Sequence, residues 1–298
     1  MKKTNDFGMN SIFKTALLCC LFVLLQVTLF AHTEQPKSLY FKVDLQNNVT
    51  HFGHFETKKH HFQAIKSKTL SNFDENDVMQ IIQSELGSAV QNPKVLVFIH
   101  GMWGNREVVV RKSVRHFEKE YGTENDLVIH IIWEAHRMNV GKCQRNARNS
   151  TPFVTSILRG VLDVKNASPN LMCHSMGNYL LFEMMAGMQN PQQPFEQIFM
   201  IAADVAIPVF DKKSDLLASV AKETKVYVNK KDVVLYFSGL YNHVPRLGKK
   251  GTEVDRDFIT ILDCTKEKEK GFKGKFSRHL YYKSCPVIRE SLKKQINY

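Results

Sequence analysis

The run Leu171-Met172-Cys173-His174-Ser175-Met176-Gly177-Asn178 constrains this chain more than any other. An apolar segment leads into it and a helix-like apolar stretch leaves it, so the backbone has to turn from strand to helix around Ser175. Such a turn pushes one side chain out of the sheet. A second run, Val95-Leu96-Val97-Phe98-Ile99-His100-Gly101-Met102-Trp103, has the same construction, and its Gly101 lies 74 residues before Ser175. There an apolar strand ends in His-Gly, and the glycine frees the backbone to bend.

Taken together the two runs resemble the α/β-hydrolase superfamily, and within it bacterial serine hydrolases of unassigned function. The resemblance extends from about Leu96 to the C-terminus. It implies that Ser175 sits in a G-x-S-x-G elbow, with Cys173 in place of the first glycine, and that the backbone N–H groups of Met102 and Met176 form an oxyanion hole. Ser175 needs an imidazole to take its proton and a carboxylate to orient that imidazole, in the chain order Ser, acid, His. His279 fits the last place, in Phe276-Ser277-Arg278-His279-Leu280-Tyr281-Tyr282, after the last strand and followed by aromatics as in the resembling hydrolases. His243, in Leu240-Tyr241-Asn242-His243-Val244, falls before that strand and is the weaker alternative. Asp232, just after the second strand beyond the elbow's helix, is preferred as the acid; Asp204, at the end of the first such strand, is the other choice. The expected reaction is ester hydrolysis through an acyl-enzyme, without metal or organic cofactor. The alternative is a catalytically weak binding module of the same fold at the cell surface. Trp103, Phe153 and Pro208-Val209-Phe210 are equally readable as acyl-pocket walls or as packing.

The remaining pattern agrees with a single α/β domain over residues 32–298. Leu127 to Trp133 is nearly continuously apolar, as a central parallel strand covered on both faces requires. Val95 to Ile99, Gln197 to Ala203, Thr224 to Asn229 and Asp257 to Leu262 read as further strands of a mostly parallel central sheet with helices on both faces. Leu39 to Leu45 and Val49 to Phe55 read as an N-terminal antiparallel hairpin around Gln46-Asn47-Asn48. Asn72, ahead of Asp74 and Glu75, reads as an N-cap for a helix ending at Gly87. Val110, Val114, Phe117 and Tyr121 share one helical face. The polar stretch Asn139 to Asn149 reads as a loop over the sheet edge, with a helix near Ile157 to Leu162 before the elbow. Tyr179 to Met188 is apolar nearly all round, the pattern of a buried helix.

Residues 1–31 place Lys2, Lys3 and Lys14 before an apolar run and carry no further charge until Glu34, an export signal or membrane anchor that puts the domain outside the cytoplasm. That leader holds three lysines against one aspartate, so the rest of the chain keeps +10 of the formal +12. The charge favours anionic surfaces, lipids or substrates, including membrane or envelope surfaces; the hydrolase resemblance implies a small-molecule or lipid acyl substrate. Lys266, Lys268, Lys270, Lys273, Lys275 and Arg278 are also explained as a solubilising loop. No aromatic-and-basic module of the nucleic-acid type is present. His51, His54, His60 and His61 lack the cysteines or spaced carboxylates of a metal site and read as surface residues. Cys143, Cys173, Cys264 and Cys285 follow the leader; a Cys264–Cys285 bridge and free thiols are equal alternatives, and Cys173 reads as a small core residue.

Overall fold

Alternation along the strands determines how this sheet is covered. In β4 (Lys94–Ile99) the side chains of Val95, Val97 and Ile99 enter one core and those of Leu96 and Phe98 the other. In β5 (Leu127–Ile132), Leu127, Ile129 and Ile131 share the first core, while Val128 joins the second. A strand whose odd and even positions are both apolar must lie between two layers, because successive side chains point to opposite faces.

The computed structural model describes residues 37–56, 61–69, 74–87, 90–102, parts of 109–119, and then 127–136, 139–188, 194–267, 278–283 and 290. The chain divides into Met1–Gln35 and Pro36–Tyr298, and every described residue belongs to the second unit. The leader, Cys285, Trp103 and most of the lysine-rich segment lie outside the described residues.

Nine strands among the described residues form one sheet in the order β3-β2-β1-β5-β4-β6-β7-β8-β9. From β1 to β9 all neighbours are parallel: β1 (Lys37–Asp44), β5, β4, β6 (Ser168–His174), β7 (Phe195–Ile201), β8 (Ala221–Val228) and β9 (Ile259–Asp263). The expected hairpin is present as β1 and β2 (Val49–Glu56), paired antiparallel. It does not stand at the edge by itself: β1 joins the parallel sheet through β5, and β3 (His61–Thr69) adds a further antiparallel strand outside β2.

Helix α1 (Glu75–Leu86) begins two residues later than Asn72 suggests. Asp74 is the N-cap, its Oδ1 accepting from Asp77 N at 3.0 Å, while Asp77 accepts from Asp74 N. This reciprocal box satisfies two of the orphan amides of the first turn. The larger correction concerns residues 139–149. Asn139 caps a long helix, α2 (Val140–Leu162), through an Oδ1 that accepts from Lys142 N at 2.8 Å. Cys143, Ala147, Ser150 and Val154 recur at helical spacing and are buried. Small residues on that stripe concealed the periodicity, because they carry little hydrophobic signal yet let the helix approach closely. Helix α3 (Met176–Met184) follows β6 and is buried almost completely, as its composition requires.

The first core holds α1, α2 and α3 against the sheet, together with Phe210 of α4 (Ile207–Lys213) and Val220 of α5 (Leu217–Val220). The second holds Leu235 of α6 (Val233–Tyr241), with Tyr281 and Tyr282. A short helix, α7 (Leu247–Lys250), packs beside β8.

At the α1–α2 contact, a Cβ on Gly160 would lie 2.5 Å from Val78 Cβ and 2.6 Å from the Glu75 carbonyl oxygen. We expect Gly160→Ala to destabilise the fold by about 1–3 kcal/mol in urea unfolding, because overpacking against backbone outweighs the gain in helix propensity of about 1 kcal/mol.

Candidate active site

Ser175 has φ 53° and ψ −121°, a left-handed conformation that is costly for a residue with a side chain. Hydrogen bonds on every side impose it. Ser175 N donates to Ile201 O at 3.0 Å, and Ser175 O accepts from Asn178 N at 3.0 Å and Asp204 N at 3.2 Å. The Asn178 side-chain amide ties Cys173 O, Ser175 O and Ile201 O at 3.0, 3.2 and 3.2 Å. Asn178 therefore clamps the turn to two strands. Its place directly after the motif was the available signal.

Neighbouring glycines leave room for the turn. A Cβ on Gly177 would meet Ile99 O at 2.6 Å, and one on Gly101 would meet Ser175 Cβ at 2.7 Å. In the parallel β4–β6 register Ile99 pairs with Cys173. Just beyond that pair Gly101 lies against Ser175 and His174, which brings the His-Gly turn beside the elbow. Met176 opens α3, where backbone N–H groups have no partner within the helix. Cys173, where the elbow pattern has glycine, is fully buried in the first core, and burial pushes its thiol well above the ordinary range. Cys143 is likewise buried, its thiol pushed up to about 12. Cys264 is buried in the second core.

Asp232 and His279 come together. Asp232 is the N-cap of α6: one carboxylate oxygen accepts from Leu235 N at 3.0 Å and the other from His279 Nδ1 at 2.7 Å. Asp232 is fully buried and His279 nearly so. The Nδ1–H tautomer that this bond selects leaves Nε2 of His279 with its lone pair. His279 also lies against the elbow: its carbonyl accepts from His174 Nε2 at 3.0 Å, and the two rings are 4.9 Å apart.

Asp204 is held elsewhere. Its Oδ1 accepts from Ser238 Oγ at 2.6 Å and pairs with Arg246 Nε at 2.7 Å, with both charged side chains buried. It is thus a structural carboxylate whose amide supports Ser175. Arg246 carried no sequence signal, because its partner lies 42 positions away. His243 is exposed in the turn after α6, with φ 53°. Phe153 packs against the first core, Phe210 is buried at 5.7 Å from Phe182, and Val209 is exposed.

His100 lies beneath Gly101. Its Nδ1–H donates to Gly101 O at 2.7 Å, and its ring stacks on Trp133 at 5.7 Å, whose Nε1–H donates to His100 O at 2.8 Å. Burial lowers its pKa to about 4. Burial also lowers His130 to about 3, and holds His174 well below the ordinary range. Tyr281 completes the frame, its hydroxyl donating to Tyr227 O at 2.9 Å and accepting from Ala202 N at 3.2 Å.

The sheet order, the elbow and the His-Gly turn define an α/β-hydrolase fold. Residues 74–295 match the family described as "Alpha/beta hydrolase of unknown function (DUF900)", and the chain belongs to that family. No curated protein matches it. Among solved structures it is similar to an esterase of Pyrobaculum calidifontis in its monoclinic form, at 14% identity over 69% of this chain and 75% of that one, TM-score 0.36. It is also similar to an arylesterase, at 10% identity over 87% and 83% of the two chains, TM-score 0.38.

Two measurements test this construction. Arg246→Ala leaves the Asp204 carboxylate buried without its cation, and is expected to lower stability by about 3–5 kcal/mol in urea unfolding. Acid is expected to destabilise through His100: the unfolded imidazole gains a proton below about pH 6.5, whereas the folded one resists until about 4. That stability is complete above pH 6.5 and declines as pH falls towards 4, by on the order of 3 kcal/mol. Comparing urea midpoints across this range for wild type and His100→Asn isolates it, the variant showing the smaller decline.

Proposed function

We propose that the protein is an exported serine hydrolase that cleaves carboxylic esters through an acyl-enzyme. The observation that carries this reading is the buried 2.7 Å bond between Asp232 and His279, held against the strained turn at Ser175. A buried carboxylate on Nδ1 is what an imidazole requires if Nε2 is to accept a hydroxyl proton and the resulting cation is to be stabilised.

In this mechanism His279 Nε2 takes the proton of Ser175 Oγ as that oxygen attacks the ester carbonyl. Negative charge collects on the carbonyl oxygen, where the amides of Met102 and Met176 donate to it. The intermediate collapses as His279 passes the proton to the departing alkoxide, leaving an alcohol and an acylated Ser175. Water then attacks the acyl group, again with His279 as base, and the carboxylic acid leaves as the proton returns to Ser175. Every proton passes through one nitrogen, so the orientation Asp232 gives the ring matters in both halves. The apolar leader, residues 1–31, with Lys2, Lys3 and Lys14 ahead of its apolar run, supports export.

Chromogenic esters of graded acyl length and a fluorophosphonate probe test the proposal. Wild type is expected to hydrolyse one of the esters and to be labelled. Ser175→Ala and His279→Ala should lower kcat by about 10⁴–10⁶, and Asp232→Asn by about 10⁴. Asparagine also serves as an N-cap, so Asp232→Asn keeps the start of α6 and isolates the loss of the carboxylate. Ester turnover and labelling that persist in Ser175→Ala would refute the assignment.

A further inference from the structure

The helix that begins at Asp232 buries little of its apolar surface. Leu235 and Ser238 face inward, whereas Tyr236, Phe237, Leu240 and Tyr241 are exposed to 49, 62, 53 and 57%. These four make up most of the large apolar side chains exposed among the described residues. Singly exposed apolar residues need no explanation, but four adjoining ones on a single helix face mark a contact surface.

Around that face cations outnumber acids along the chain. Between residues 229 and 250 the single acidic side chain is Asp232, which is buried, whereas Lys230, Lys231, Lys249 and Lys250 flank the helix. Lys249 Nζ lies 5.6 Å from the Tyr236 ring centre, and Lys230 is shared with Asp263 at 3.0 Å. At the other end, Gln144 of α2 donates to Asn242 at 2.9 Å, which sets the first turns of α2 beside Tyr241. Residues 139–162 contain no aspartate or glutamate, and Lys142 and Arg145 are exposed there. Cations near a helix N-terminus oppose its dipole, so helix stability does not account for Lys231, Lys142 and Arg145.

We propose that α6 docks the protein on an anionic lipid bilayer, with Tyr236, Phe237, Leu240 and Tyr241 entering the acyl boundary and the flanking cations meeting the headgroups. Apolar side chains rimmed by lysine and arginine are the combination that interfacial binding uses. A second copy of this chain would bring like charge against like, and the leader's flank is itself cationic. Because Asp232 caps α6 and also holds His279, docking sets the catalytic groups at the lipid surface. Delivery of lipid-borne esters rests on the serine hydrolase reading; docking does not.

Phe237→Trp places a reporter on the helix. With the full chain, the difference emission spectrum against wild type is expected to shift to the blue on adding phosphatidylglycerol vesicles. Phosphatidylcholine vesicles should leave it unchanged. Phe237→Ser with Leu240→Ser should weaken sedimentation with anionic vesicles by about tenfold or more, the factor carried by burying one such side chain. The same pair should slow hydrolysis of a vesicle-borne ester and leave a soluble short-chain ester unaffected. Vesicle binding with an unshifted reporter would assign the contact to another segment and overturn the proposal. So would a shift that follows protein concentration without lipid, which indicates a second copy. A shifted reporter on a protein that cleaves neither ester would leave docking standing and remove the hydrolase reading alone.

Discussion

One buried carboxylate holds the site to the fold. Asp232 has no exposed surface, and each of its oxygens has its own duty, one on the first turn of α6 and the other on His279. Burying a carboxylate is costly unless such donors replace water. Asp232 is thereby a structural cap as well as the partner of His279, and the direction of α6 is set by the same atoms that orient the imidazole. Ser238, on the inner face of α6, reaches Asp204, whose amide in turn supports the Ser175 carbonyl. Asp232, His279 and Ser175 are thus connected through short polar contacts from separate strand ends.

The turn at Ser175 shows how a local strain is held. No residue with a Cβ prefers φ near +53°. The conformation persists because β4 and β7 are hydrogen-bonded alongside β6, because Gly101 and Gly177 permit close approach, and because Asn178 reaches three carbonyls at once. These conditions depend on strand register. A slip of one residue between β4 and β6 would move Gly101 away from Ser175 and bring a side chain into its place.

Much of this architecture was legible before any coordinates. An apolar run without alternation correctly marked β5 as doubly covered and Val95–Ile99 as a strand, and the apolar composition of 179–188 correctly marked the buried helix behind the elbow. The larger errors came from weak apolar patterning. In α2 the inward stripe is made of Cys143, Ala147 and Ser150, residues too small or too polar to register as a hydrophobic face, so a helix read as a loop. β3, with polar residues at His61, Gln63, Lys66, Ser67, Lys68 and Thr69, likewise gave no alternating apolar signal. Asn72 and Asp74 are both good caps, and the choice between them lay in the reciprocal bond with Asp77.

By itself the sequence determined the class of fold, the strand-to-helix turn at Ser175 and the order of the groups around it, because those follow from periodicity and from residues whose backbone chemistry is special. It favoured Asp232 over Asp204 on chain order alone, both being aspartates just beyond a strand. Only the tertiary structure separated them: Arg246 and Ser238 converge on one, and His279 on the other. It alone also showed that α6 turns its aromatic side chains outward. Pairing and burial across dozens of residues are properties of assembled layers, and local spacing along a chain does not encode them.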